Sequence, residues 1–306
     1  MEPDGSLLRK IPEAIRAFGW TSFPKVGDVI RRPYDNGWVV ISQMDHAQLS
    51  GALMARWGNE TFASPTPEAE VLFAISEHDN GWHEWERVPE IHPETGYPLQ
   101  FNELRFEPFS AIWRRGTERH RKTHPYASLM LALHAASLAR RRLEKASRPH
   151  EGQEGDRFLG EEWPDTEAAR LRAFIFEMEQ LRIALFDAVM VESQRKREEL
   201  QAECTANFRL LQVGDFVSLE LCCGLSKPFT IDQVPALGGG RSLSVKFEPV
   251  SKDTGAVSPY PFSQPDVTVA VPGRILRQKV FTSREELRIH LERADPIHLS
   301  FCFRPA

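Results

Sequence analysis

Apolar positions recur along this chain with two periods, and the places where the period changes organise it. Leu49, Leu53, Met54 and Trp57 recur at helical spacing, which predicts a helix from Asp45, a side chain able to cap it, to Trp57. Gly58-Asn59 should end it. A second helix is predicted from Pro67, a favourable first helical residue, through EAEVLFAISEHD, with Gly81 as the stop. Residues 86–108 carry several prolines and read as an ordered loop. Helical patterns resume over 109–121 and 126–145, and a longer one spans 165–223 with a break expected near 204–207. A short helix over 11–18 is also read. The β-type pattern occurs twice. Residues 28–43 hold two β-prone runs around Asn36-Gly37, a pair suited to a type I′ hairpin turn, with the second strand over 38–42. After Gly224 strands are expected at 242–247, 267–271, 279–281 and 297–303, with one helix capped by Ser283 and running to Arg293.

These elements predict a mainly α fold: a helical bundle with an N-terminal β-hairpin and a small C-terminal α+β subdomain. The expected division is 1–224 for the helical domain and 225–306 for the subdomain. The first unit contains the hairpin at about 28–43 and a mobile Gly-, Glu- and Pro-containing insertion at about 146–165. The C-terminal strands are expected to cover the helices, or to mediate self-association into a homo-oligomer through a strand edge.

Composition narrows the classes. The 306 residues are 41% hydrophobic and 26% charged, the balance of an ordinary globular protein able to bury a core unaided. A formal net charge of -5 supplies no global positive field, so neither nucleic acid nor an anionic membrane is an expected partner. The four cysteines, Cys204, Cys222, Cys223 and Cys302, fit no zinc spacing and read as free thiols in a reducing cytoplasm. No apolar run approaches the ~20 residues of a membrane-spanning helix. The N-terminus lacks a signal-peptide core, so a cytoplasmic location is expected. A P-loop and a Gly-x-Ser-x-Gly elbow are both missing, since Gly238-Gly239-Gly240 is not followed by Lys-Ser/Thr.

Three places carry chemistry. EHDNGW (77–82) holds an adjacent His78-Asp79 pair near a helix end, able to offer one ion an imidazole nitrogen and a carboxylate oxygen. His46 lies at the start of the preceding helix. Asp215 is a lone carboxylate among Leu211, Phe216, Val217, Leu219 and Leu221, and burying it unpaired would cost several kcal/mol unless a metal, an arginine or protonation relieves it.

The order His…His-Asp…Asp on separate helices resembles the HD superfamily of metal-dependent phosphohydrolases. HDNG (78–81) looks like the HDxG of the cyclic-di-GMP phosphodiesterase branch, with Trp82 in place of that branch's lysine. The chain is also similar to the DUF3891 family of bacterial proteins. That likeness is carried by NGWVVISQMDHAQLSGALMARWG (36–58), EHDNGWHEWE (77–86), PETGYP (93–98), FSAIWRRG (109–116), YASLMLALH (126–134) and NFRLLQVGDFVSLELC (207–222). It covers most of the chain and is weaker in the C-terminal part.

The HD resemblance implies an HD-domain-like helical bundle. It implies that His46, His78, Asp79 and Asp215 hold a divalent transition metal (Mn, Fe, Zn or Ni, one ion or two). It also implies that a metal-bound water of depressed pKa attacks the phosphorus of a small phosphorylated molecule, such as a nucleotide. Some HD proteins bind a second metal through intervening histidines; here the candidates are His134, His120 and His124. Two further readings stay open: an HD-fold di-iron oxygenase, which needs those histidines, and a ligand-binding module without turnover, which the Trp82 departure permits.

Each candidate also has an ordinary reading. His46 alone is a solvated first-turn residue, His134 a core histidine, and His120 with His124 part of a solvated basic face. Arg114, in the positive run with Arg115, Arg119, Arg121 and Lys122, would hold a phosphate only if its helix borders the metal. Trp82, Trp85 and Trp113 would wall a pocket, or simply fill a core.

Overall fold

The computed structural model describes residues 30–146, 165–238 and 240–306. The helix read over 11–18, the first residues of the hairpin segment and nearly all of the insertion read at 146–165 lie outside the described residues.

The described residues open with β1 (Arg31–Tyr34) and β2 (Gly37–Val40), an antiparallel hairpin. Its two-residue turn is Asp35-Asn36, with Asp35 at φ 46°, one position earlier than the predicted Asn36-Gly37. Gly37 belongs to the strand instead, where a Cβ would lie 1.7 Å from the Leu276 carbonyl oxygen. Its missing side chain serves close strand packing, not the turn. The helix predicted from Asp45 begins two residues sooner. It is α1 (Gln43–Met54), capped by Ser42, whose hydroxyl accepts from the Asp45 backbone N–H. Next come α2 (Glu68–Ser76), a 3-10 turn at Asn80–Trp82, the single-turn α3 (His83–Glu86), α4 (Phe106–Arg119) and α5 (Pro125–Ala146). The long helical pattern splits into α6 (Asp165–Ser193) and α7 (Arg197–Cys223). The break falls at Gln194, which adopts φ 53°, and not at 204–207, where α7 is continuous. The last part contains β3 (Phe229–Pro235), β4 (Ser242–Pro249), β5 (Thr254–Ser258), β6 (Val267–Leu276), α8 (Arg284–Arg293) and β7 (Asp295–Pro305). Ser283 caps α8 as expected, while 279–281 form no strand.

The expectation of a mainly α, HD-domain-like bundle with a small C-terminal subdomain is overturned, and so is any all-α description. Helices take 51% of the described residues, but strands take 22% and join into one curled mixed sheet of seven strands. Its order is β1-β2-β6-β7-β5-β4-β3, antiparallel throughout except for the parallel pair β5–β7. The physical reason was present in the hairpin itself. Trp38 and Val39 of β2 are buried, and an isolated two-stranded ribbon cannot bury them. They are covered because β2 pairs with β6, some 230 residues later.

β6 alternates buried and exposed positions along nearly its whole length, the mark of a sheet with one covered face. Val267, Val269 and Val271 on that face join Val39, Val245, Phe247, Phe301 and Phe303 in the main core, which also takes Leu49, Leu53, Leu211 and Val217 from α1 and α7. Each such side chain contributes roughly 1.5–3 kcal/mol by leaving water. A polar tie adds to this. A register irregularity in β3 places Gln233 at φ 58°, and Arg209 of α7 donates to the carbonyl oxygens of Asp232 and Gln233 there. No helix among the described residues is long and apolar enough to cross a membrane.

Candidate metal centre

Two glycines let three helices approach closely enough to share a centre. A Cβ on Gly51 of α1 would lie 2.0 Å from Ser76 Oγ at the end of α2, and a Cβ on Gly214 of α7 would lie 2.8 Å from Met54 Cγ of α1. A third contact fixes the turn after α2. A Cβ on Gly81 would lie 2.0 Å from the Ile112 carbonyl oxygen of α4. Around it Asn80 donates to the Gly116 carbonyl at 3.3 Å, Arg115 to the Gly81 carbonyl at 3.2 Å and Arg119 to Asn80 Oδ1 at 3.2 Å. The Asn-Gly after His78-Asp79 is thus a clamp onto α4.

This packing brings His46, His78, Asp79 and Asp215 together in the interior. His46 Nε2 lies 3.1 Å from Asp215 Oδ1 and 3.7 Å from Asp79 Oδ2. His78 Nε2 lies 3.3 Å from Asp79 Oδ2 and 3.5 Å from Asp215 Oδ1. The two imidazoles meet edge to face, with centroids 5.3 Å apart. His134 of α5 joins from the far side: its Nε2 is 3.8 Å from Asp215 Oδ2, and its ring stands edge-on to both His78 and Trp113. Two overlapping donor groups result, His46–His78–Asp79 and His78–His134–Asp215, each with ligand atoms within 4.8 Å of one another. His78 and its Nε2 belong to the shared edge of both. Asp215 is the most open of the five, with 15% of its side chain exposed.

The hydrogen bonds behind the rings decide which nitrogens face inward. His78 Nδ1 lies 2.7 Å from the Ile75 carbonyl oxygen, which can only accept, so Nδ1 carries hydrogen. His78 Nε2 is then buried with no hydrogen-bond partner of its own and faces two carboxylate oxygens. His46 Nδ1 meets Ser218 Oγ at 2.9 Å, and Ser218 Oγ meets Ser50 Oγ at 2.7 Å. With His46 Nδ1 as the donor, this chain ends on the His46 carbonyl through Ser50 and turns Nε2 toward Asp215 Oδ1, 3.1 Å away. Two nitrogens and two carboxylate oxygens suit a first-row divalent ion.

Without an ion, the charges must adjust. Burial works to lower the His78 imidazole, but Asp79 together with Asp215 raises it well above its ordinary range. Burial works to raise the Asp215 carboxyl, but the His46 and His78 rings beside it hold it well below the usual carboxylate range. Burial dominates at His134 and lowers it to about 4, so this ring is neutral.

The other candidates lie elsewhere. Arg114 is tied to Glu177 on the surface, Nη2 to Oε2 at 2.7 Å and Nε to Oε1 at 2.8 Å, so it does not border the metal centre. His120 pairs with Glu77 and His124 with Glu70, each at 3.2 Å, and Phe73 stacks on His124. Neither histidine enters a metal-type cluster among the described residues. Trp82 is buried, meets Trp85 edge to face at 5.4 Å and lines a cleft of about 490 Å³. Ser42, Gln43 and Asp45, at the start of the helix that carries His46, line it too, as do Glu86, Leu99 and Leu287. Burial raises the Glu86 carboxyl to about 8, aided by the nearby charges of Asp79 and Asp45.

Sequence reading did not single out Arg141, a further charge near the cluster. It follows His134 by seven residues on α5, and its guanidinium interacts electrostatically with both Asp215 and His134. The signal available was the run Arg140-Arg141-Arg142 two turns after a histidine on an otherwise apolar helix.

A family model described as a protein of unknown function (DUF3891) matches residues 29–278. The chain belongs to that family. Neither a search of curated proteins nor one of solved structures found a match.

Proposed function

We propose that this member of the DUF3891 family is a metal-dependent phosphohydrolase that cleaves a small phosphoester at the His46, His78, Asp79 and Asp215 centre. The observation that supports it is His78 Nε2. It is a buried nitrogen with no hydrogen-bond partner, its proton is committed to the opposite side of the ring, and two carboxylates face it. In the metal-free protein these two anions hold a second proton on the ring, and a divalent cation placed between them would displace that proton and take the nitrogen and both carboxylates as ligands.

The order of these ligands, His…His-Asp…Asp, is also that of the HD-type phosphohydrolases. The likeness concerns the ligand set and not the architecture, because this chain builds its centre against a seven-stranded sheet. When bound, the ion would supply an activated water and polarise a phosphoryl oxygen. The residues do the rest. Ile75 and the Ser218–Ser50 pair hold the two imidazoles in register. The partly exposed Asp215 marks the side from which substrate reaches the centre, and the cleft beside Asp45 and Trp82 receives its organic part.

The oxygenase reading finds less support, since His120 and His124 pair with surface glutamates and leave His134 as the additional histidine at the centre. The deciding experiment is phosphate release from a broad phosphoester panel by the manganese-loaded protein, beside His78→Ala and Asp79→Ala variants of verified fold. Release by the wild type and loss in both variants is expected. Stoichiometric metal without release from any ester would leave a ligand-binding module as the better reading.

A further inference from the structure

We propose that α6 joins two copies of this chain, packing antiparallel against α6 of the second copy about a two-fold axis that passes between residues 179 and 180. The inference concerns a surface away from the metal centre and does not rest on the phosphohydrolase reading.

α6 carries apolar residues on two opposite faces, and the molecule covers one of them. Leu171, Phe174, Met178 and Leu185 are buried on the face turned toward α5 and α4. On the far face Phe176, Ile183 and Val191 keep 54%, 41% and 73% of their surfaces exposed, with Ala169 and Ala173 exposed in line with them. A surface helix of a lone globular chain ordinarily turns polar residues to that side. The stripe from 169 to 191 is about 33 Å long at 1.5 Å per residue. Its borders are polar and already paired. Arg114 meets Glu177 at 2.7 Å on one side, and Glu179 holds Arg140 at 2.5 Å and Arg182 at 2.7 Å on the other. A continuous apolar strip rimmed by charge is the layout of an interface and not of a wet surface.

The strip is complementary to its own reverse, which names the occupant. Phe176 and Ile183 stand at equal heights, about 5 Å, on either side of the midpoint between Glu179 and Gln180. Arg172 and Asp187 stand at equal heights of about 11 Å from the same midpoint. At 100° per residue all four project within about 60° of one another. A two-fold axis at that midpoint exchanges the two heights. It sets Phe176 of one copy against Ile183 of the other and Arg172 against Asp187, each pair formed twice, as an isologous interface requires. The charges are available for this. Arg172 is exposed and has no ion-pair partner among the described residues. Asp187 meets Arg197 at 2.7 Å through Oδ1 only, in an exposed pair that leaves Oδ2 open among the described residues. The same four residues in a parallel pair would set like charge against like.

The test is sedimentation equilibrium of the full chain across a concentration series, for wild type, Phe176→Glu, Ile183→Glu, Arg172→Glu and Asp187→Arg, with circular dichroism to verify the fold. All four positions lie on the surface, so the fold should be kept. Wild type should dimerise, and the Phe176 and Ile183 variants should stay monomeric. Arg172→Glu and Asp187→Arg should each dimerise at least about tenfold more weakly than wild type, because each homodimer then contains two like-charge pairs. Mixed in equal amounts, these two should form a heterodimer in preference to either homodimer, since every altered charge then faces an opposite one; native mass spectrometry resolves the species. A wild type that is monomeric throughout overturns the proposal. So does a dimer that survives Phe176→Glu and Ile183→Glu, which would place self-association on another surface such as a strand edge. A mixture without preference for the heterodimer overturns the antiparallel register.

Discussion

His78 donates its Nδ1 hydrogen to the carbonyl oxygen of Ile75 at 2.7 Å, one turn back along the chain, and so commits Nε2 to the space between Asp79 and Asp215. This bond makes the metal-free and metal-loaded proteins respond to pH in opposite directions. In the metal-free protein the His78 pKa is raised, so its stabilising charge is fully present below its ordinary 6.5 and is lost as pH rises through the raised value. The Asp215 pKa is lowered, so its contribution is present above its ordinary 3.8 and is lost as pH falls through the lowered value. Both contribute in full between about pH 4 and 6.5. Metal binding requires His78 without its second proton, so the stabilisation by metal should grow as pH rises from 6 to 8. Thermal melts with and without EDTA across that range test this; a constant gap would count against His78 as a ligand.

Metal content should separate the histidines. Replacing His134 with alanine removes a neutral ring that stands against His78 and Asp215 and should weaken metal binding by about 10- to 100-fold, the usual scale for such supports. His120→Ala should leave metal content unchanged, because its partner is Glu77. Elemental mass spectrometry after dialysis at graded metal concentration reads both. Equal loss in the two variants would mean that the ligands have been misassigned.

Close helix packing should tolerate no added methyl. Gly51→Ala forces a Cβ against Ser76 Oγ and should cost about 1–3 kcal/mol in urea unfolding, with metal affinity reduced because α1 and α2 are pushed apart. Gly81→Ala meets backbone, the carbonyl of Ile112, and should cost at least as much. A Gly81→Ala protein of wild-type stability would show that the clamp between Asn80-Gly81 and α4 is dispensable.

Arg114→Ala should be nearly silent. Its ion pair with Glu177 is exposed on both sides, and such pairs contribute roughly 0–1 kcal/mol. Phosphate release and metal content should both equal wild type; a large loss of either would return Arg114 to the site.

The cluster of His46, His78, Asp79 and Asp215 was partly legible in the sequence because a carboxylate inside an apolar helix and an adjacent His-Asp pair are locally conspicuous. The placement of Arg114 and Arg141 was not. Both sit in runs of basic residues, and only Glu177, Glu179 and Glu167 on α6 show that Arg114, Arg140 and Arg142 pair with that helix. The helices and most strands followed from periodicity. Their assembly did not, because the pairing of Trp38 with Leu276 leaves no local trace in either segment. Gly37 shows the same limit: it reads as a turn residue until the Leu276 carbonyl is placed against it.

That pairing also sets a timetable for the growing chain. β2 leads directly into the helix that carries His46, yet its inner neighbour β6 is made only after all the candidate ligands have left the ribosome. Contacts so distant in sequence form late. A nascent chain stopped before residue 267 would carry every candidate ligand and still lack the strand that braces β2. The strand that leads into the His46 helix thus gains its inner neighbour only near the end of synthesis, after every residue of the cluster has been made.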